Sequence, residues 1–278
     1  MKYFIFSDVH GFFSIFKEKL KELNFDEDNP DHMLISLGDN FDRGKENYQM
    51  FEFLKEMNSK GKIILVKGNH EDLLMEALIT RKFSYRDYIN GTYETIVEFS
   101  NKYFNRNILD TGFDTLLFEL KNDGLIDLIS SMKDYYETNN YIFTHGFIPV
   151  LRNESYDYNP HWRNSNNQEF MMARWKNGME MSILYDIGEE NKKIVIGHFH
   201  TSYGHIRKEY INKNNVDLKL NKNLNSDELF DKLLLNDELK KFEFDENASF
   251  DIYEDKNVIA IDGCTAFSNK VNVLVIND

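Results

Sequence analysis

Gly38-Asp39-Asn40-Phe41-Asp42-Arg43-Gly44 follows the apolar run Met33-Leu34-Ile35-Ser36-Leu37. That run is short, apolar and stopped by glycine, which reads as a buried strand. The stretch after it therefore holds two carboxylates and a guanidinium in a glycine-bounded turn at the strand's C-terminal end. A carboxylate has two oxygens, so Asp39 can bridge two cations. Asp42 and Arg43 are then left beside whatever those cations hold. If this reading is right, the remainder of the chain must supply further ligands, and they belong at strand ends as well.

Upstream, Lys2 to Phe6 is a short β-rich run that ends in Ser7-Asp8-Val9-His10-Gly11. Asp8 and His10, two apart at a strand end, point the same way and can share a metal. Phe12, Phe13, Phe16, Leu20 and Leu23 then recur at helical spacing. Downstream, a helix over 46–59 carries Tyr48, Phe51, Leu54 and Met57 on one side. Lys62 to Val66 forms the next strand and leads into Lys67-Gly68-Asn69-His70-Glu71. Strand, polar motif and helix thus alternate three times. In open α/β sheets ligands gather beyond the carboxyl ends of the strands, where the connecting loops converge. Two further strands continue the pattern: Tyr141 to Thr144 ends in His145-Gly146, and Lys193 to Ile196 ends in Gly197-His198-Phe199-His200. Val258 to Ile261 and Val271 to Ile276 close the chain as strands.

The intervening stretches carry less. Residues 80–140 are expected to be mostly helical without a ligand motif, their aromatics serving as core. Residues 147–190 read as loop-rich. Residues 205–256 break the rhythm and read as an inserted, partly solvated excursion within a single domain spanning 1–278. His32, His161 and His205 read as surface or packing residues, and Cys264 as a small buried one.

The chain has 278 residues and a formal net charge of −14. That acidity disfavours nucleic-acid and anionic-membrane partners. No apolar run is long enough to span a bilayer, and no signal peptide is expected at the N-terminus. A single cysteine permits no internal disulfide and favours a reducing cytoplasm.

Five strand ends thus carry Asp8 and His10, Asp39, Asn69 and His70, His145, and His198 and His200. This is enough for two metal ions sharing a bridging carboxylate. Mixed nitrogen and oxygen donors suit Mn best, with Fe, Zn or Ni possible, and suit Ca or Mg poorly. The blocks Asp8-x-His10-Gly11, Gly38-Asp39-x-x-Asp42-Arg43-Gly44, Gly68-Asn69-His70-Glu71, His145-Gly146 and Gly197-His198-x-His200 resemble the calcineurin-like metallophosphoesterase superfamily. The Asp-Arg-Gly and Asn-His-Glu forms resemble its phosphoprotein phosphatase branch, which includes small bacterial and phage phosphatases and symmetrical diadenosine tetraphosphate hydrolases. The resemblance runs from residue 1 to about 204 and resumes near 257.

That resemblance implies an α/β fold in which two mixed β-sheets are sandwiched between helices. It implies that Asp8, His10 and Asp39 hold the first metal and that Asp39, Asn69, His145 and His198 hold the second. His200 is expected to join the first site, since alternation with His198 points both the same way in an extended segment. His70 would protonate the leaving oxygen, with Asp42 fixing its ring and Arg43 clamping the phosphate. Arg174, in Met172-Ala173-Arg174, is expected as a second phosphate-binding residue, with Arg163 as its competitor. The function expected is hydrolysis of phosphoserine, phosphothreonine or phosphotyrosine on proteins. Hydrolysis of dinucleoside polyphosphates or other nucleotides is the alternative. A non-catalytic scaffold and a nuclease are the weaker readings, the first because no ligand is missing and the second because of the charge.

Overall fold

Along the first strand, Tyr3 and Ile5 turn to one face while Phe4 and Phe6 turn to the other, the period of two that a pleated strand imposes. Both faces are apolar, so both must be covered. Phe4 and Phe6 join a core built with helices, whereas Tyr3 and Ile5 join one made with Phe143, Val195 and Ile259. The strands that supply those partners belong to a second sheet. The computed structural model describes residues 1–153, 155–214 and 237–278, and in it the two sheets lie face to face with helices outside each.

The first sheet has the order β11-β1-β2-β3, with β1 Lys2–Phe6, β2 His32–Ser36, β3 Ile63–Leu65 and β11 Val273–Asn277. Strands β1, β2 and β3 are parallel, and β11 closes the edge antiparallel to β1. The second sheet has the order β4-β5-β8-β10-β9, with β4 Tyr135–Glu137, β5 Tyr141–Thr144, β8 Lys193–Ile196, β9 Tyr253–Glu254 and β10 Val258–Ala260. Its three central strands are parallel and its two edges antiparallel. A small ribbon pairs β6 Leu151–Arg152 with β7 Tyr156–Asp157. The parallel strands force crossovers, and these place the helices.

Helices α1 Phe13–Glu22, α2 Asn47–Ser59 and α3 Asn69–Thr80 cover the outer face of the first sheet. They are joined there by α4 Tyr85–Asn90, α5 Thr92–Phe104, α6 Ile108–Thr111, α7 Phe113–Asp123 and α8 Leu125–Ser131. The expected helical character of 80–140 therefore holds up to Ser131, beyond which β4 forms. Buried Phe16, Phe51, Phe99 and Leu120 seal this layer at 0% exposure each. Each such side chain contributes about 1.5–3 kcal/mol on burial. The outer face of the second sheet is covered by α9 Asn167–Arg174, α10 Gly178–Tyr185 and α11 Ser202–Lys213.

Two expectations need correction. Residues 147–190 are not simply loop: Asn166 and Asn177 cap α9 and α10 by accepting two backbone N–H groups each. These are short helices with little apolar periodicity, so the sequence pattern barely marks them. Of the stretch read as an excursion, 205–213 continue α11 and 237–242 form α12, Asp237–Phe242. Residues 215–236 lie outside the described residues. A last short helix, α13 Thr265–Ser268, precedes β11.

Candidate metal centre

The loops after β1, β2, β3, β5 and β8 meet at one end of the sandwich, where both sheets present the carboxyl ends of their parallel strands. Main-chain bonds stitch these loops together. Asp8 N–H donates to the Gly38 carbonyl at 3.1 Å, His10 N–H to the Asp39 carbonyl at 3.0 Å, and Gly197 N–H to the His145 carbonyl at 2.7 Å. Close approach demands glycine at two points. A Cβ on Gly38, whose φ is +97°, would lie 2.2 Å from the Gly68 nitrogen, and one on Gly197 would lie 2.4 Å from Asp8 Oδ2. Asp8, His10, Asp39, Asp42, Arg43 and His198 all have positive φ, between 49° and 76°. Backbone strain of this kind persists only where the surroundings over-determine it, and it clusters at functional sites.

Two groups of candidate donors result, sharing Asp39: His10, Asp39 and His70, and Asp39, His145 and His198. Asp8 adjoins the first, with Oδ1 at 3.9 Å from His10 Nε2, and its Oδ2 accepts the His198 N–H at 2.9 Å. Asn69 adjoins the second, with Oδ1 at 2.8 Å from His145 Nε2. The ring orientations are set from behind. His10 Nδ1 donates to the Phe41 carbonyl at 2.9 Å, and His145 Nδ1 to the Leu37 carbonyl at 2.8 Å. With Nδ1 carrying the proton, each Nε2 presents a lone pair toward Asp39, 3.9 Å away for His10 and 3.3 Å for His145. This is how a metal-binding imidazole is held.

The donor set fits divalent cations. His145 Nε2 faces two oxygen acceptors, from Asn69 and Asp39, so it needs either a second proton or a cation there. Burial alone would lower its pKa, but Asp39, Asp8 and Glu71 outweigh burial and lift it to about 9. Burial pushes Asp8 up to about 6, against the pull of His145. His198 is pressed down to about 3 by burial and by the His145 charge. Buried carboxylates and imidazoles packed this closely are a site prepared for positive charge.

His70 stands apart in its bonding. Its Nδ1 lies 2.7 Å from Asp42 Oδ2, and its Nε2 lies 3.5 Å from an Arg43 nitrogen. Burial would lower its pKa, but the Asp39 and Asp42 carboxylates outweigh burial and raise it. Asp42 is itself held, since Thr92 Oγ1 donates to Oδ2 at 2.8 Å and Thr95 Oγ1 to Oδ1 at 2.7 Å. Glu71 fixes the neighbouring loop by accepting from the backbone N–H groups of Asp39, Asn40 and Gly68, each at 2.9 Å.

His200 and Arg174 lie elsewhere. The alternation that would point His200 alongside His198 requires extended backbone, but His198 has φ +67° and Phe199 N–H turns back to the Gly197 carbonyl at 2.8 Å. His200 instead donates from Nδ1 to Ser202 Oγ at 2.8 Å, its Nε2 faces Glu243 Oε2 at 3.4 Å, and neither donor group includes it. Arg174 is 7% exposed, and its guanidinium pairs with Asp72 and Asp134. Its competitor Arg163 forks onto Glu137 and lies over the Trp162 ring. Of these three arginines, Arg43 is the one beside His70.

Sequence reasoning missed Thr92, Thr95 and Asp262. The threonines lie on α5, with no local signal linking them to Asp42. Asp262 did carry one, since it follows β10 at the same end of the sheet. It is buried, and burial with the Asp8 charge holds its pKa well above the usual carboxylate range.

The model of calcineurin-like phosphoesterases matches residues 1–247. The chain belongs to the calcineurin-like phosphoesterase family, and its described residues include two groups that could hold a metal ion. It is similar to serine/threonine-protein phosphatase 2 of Salmonella typhimurium, with 31% identity over 156 residues, covering 55% of this chain and 61% of that one. Serine/threonine-protein phosphatase 2 of Escherichia coli is 34% identical over 76 residues, 27% of this chain and 32% of that one. The aligned stretches thus span less than two thirds of these relatives' own lengths. Among solved structures, a protein serine/threonine phosphatase from Saccharomyces cerevisiae with similarity to human phosphatase PP5 matches with a TM-score of 0.43 and 17% identity. That match covers 72% of this chain and 61% of the other. Among the described residues no helix is long and apolar enough to cross a membrane.

Proposed function

We propose that this chain is a phosphomonoesterase that hydrolyses phosphorylated side chains of proteins, with two manganese ions, in a reducing cytoplasm. The observation that carries the reading is the His70–Asp42 pair of 2.7 Å, set one residue from Asn69 with its free ring nitrogen toward Arg43. The similarity to bacterial serine/threonine-protein phosphatases supports the substrate class.

Asp8, His10 and Asp39 would hold one cation, and Asp39, Asn69, His145 and His198 the other. Such cations supply charge to neutralise the phosphate and lower the pKa of water to near neutral. The protein's own groups do the rest. Arg43, exposed at the rim, forks onto phosphate oxygens. His70, its proton affinity raised by the Asp39 and Asp42 carboxylates against the effect of burial, would give its Nε2 proton to the departing oxygen. Asp42 holds the ring so that this proton points outward, and Thr92 and Thr95 hold Asp42. Glu71 keeps Asp39 and Asn69 in register by gripping the backbone on both sides of the site.

The test is a substrate panel on metal-stripped protein reloaded with Mn. Phosphopeptides should turn over faster than diadenosine tetraphosphate. Faster dinucleotide cleavage would favour the nucleotide reading, and no turnover with metal bound would favour a scaffold.

A further inference from the structure

Beside the metal centre lies a groove of about 170 Å³, lined by Asn69, Leu73, Glu76, Arg86, Met172 and Trp175 among others. Its floor is α3, one side is α4 and the other is the end of α9. Met171, Met172 and Trp175 are 44%, 53% and 44% exposed, an apolar wall left open to solvent. We propose that this groove receives the aromatic ring of an aryl phosphate, and that the protein substrate is phosphotyrosyl. The inference rests on the phosphomonoesterase reading above and narrows it.

Continuity with the site is the first argument. Asn69 lines the groove and stands at its inner end, adjacent in sequence to His70. Trp175 sets its ring edge-on to His198, with centroids 5.8 Å apart and planes at 84°, and its backbone hydrogen-bonds the His198 side chain. The wall therefore borders the candidate metal centre through Trp175 and His198 on one side and Asn69 on the other.

The wall is also built, not loose. Arg174 is buried and pairs with Asp72 on α3 and with Asp134 ahead of β4. This locks the end of α9 onto α3 and fixes Met172 and Trp175, its close neighbours in the chain. The residue expected to clamp phosphate instead holds the aromatic wall in place.

Size and charge then choose the occupant. An apolar cavity of about 150 Å³ takes a benzene ring, so this groove suits one phenyl ring. A nucleoside has more than twice as many heavy atoms. Methionine sulfur and an indole favour an aromatic partner. At the groove itself Glu76 pairs with Arg86 at 3.0 Å and Asp72 pairs with Arg174, so these two guanidinium groups are engaged by acids of the groove.

The experiment compares one peptide sequence carrying phosphotyrosine or phosphoserine, on the Mn-loaded protein and on Met172→Ala and Trp175→Phe variants. Wild type should show a kcat/KM about tenfold higher for phosphotyrosine. Met172→Ala should shrink that ratio at least threefold through KM. A binding readout that needs no turnover accompanies it. Phenylphosphonate should shift the emission of half-exposed Trp175, leaving buried Trp162 as background, and the shift should vanish in Trp175→Phe. Turnover of both peptides with equal kcat/KM, or variants that lower both alike, would overturn the aryl site while leaving the phosphatase reading intact. Turnover of neither peptide would defeat the phosphatase reading itself.

Discussion

His70 Nδ1 and Asp42 Oδ2 lie 2.7 Å apart across 28 residues of chain, both almost wholly buried. The contact fixes which ring nitrogen faces the open side of the site, because a carboxylate behind Nδ1 leaves Nε2 to work in front.

His70→Asn tests that arrangement. On an alkyl phosphate, whose leaving group needs a proton, kcat should fall by about 10²–10⁴-fold. On p-nitrophenyl phosphate, whose leaving group barely needs one, the loss should stay within about tenfold. Metal content measured on the same preparations should be unchanged. Equal losses on both substrates would remove the general-acid role.

Thr92 and Thr95 act on the same proton at one remove. Replacing both with valine takes away two hydrogen bonds to the Asp42 carboxylate, each worth about 1.5–3 kcal/mol in a charged pair. Chemical denaturation should show the variant less stable. Steady-state rates should show a further loss that is larger on the alkyl phosphate than on p-nitrophenyl phosphate. A stability loss with equal rates on both substrates would mean that the threonines only hold the fold.

Arg174→Met separates a pin from a phosphate clamp. It leaves Asp72 and Asp134 without their partner, and both are partly solvated. The cost should be about 2 kcal/mol, below the 3–5 kcal/mol of a fully buried broken pair. Inhibition by inorganic phosphate should change less than about twofold, whereas Arg43→Met should weaken it by about tenfold. A large change in phosphate inhibition for Arg174→Met would restore it to the substrate site.

His200 gives a pH signature. Burial and the nearby Arg207 hold its pKa at about 4, against 6.5 for an ordinary histidine. A histidine depressed by folding takes its proton more readily in the unfolded chain. Stability is therefore complete above about pH 6.5 and is lost as pH falls toward 4, by up to about 3 kcal/mol. His200→Gln should flatten this part of the stability curve relative to wild type while metal stoichiometry stays the same. A variant that loses a metal ion would place His200 in the centre after all.

Much of the site is legible in the sequence. Asp8, Asp39, Asn69, His145 and His198 each follow a strand within a few residues of its end, and a strand end is a local property of the chain. The geometry brings these residues to one end of the sandwich. The inferences that fail are those that assume local regularity continues. Alternation places His200 beside His198, and a tight turn at Gly197–Phe199 cancels it. A motif places Arg174 at the phosphate, and two acids from distant segments capture its guanidinium.

The sequence by itself determined which polar side chains stand just beyond the ends of apolar runs, because apolar periodicity and glycine punctuation act over a few residues. Only the tertiary structure decided how those ends face one another. Asp42 meets Thr92 and Thr95 fifty or more residues away, and Trp175 comes to edge His198. Such pairings follow from how two sheets pack their inner faces around Ile5, Phe143 and Val195. Close packing of that kind is a property of the whole core and leaves no mark on any one stretch of chain.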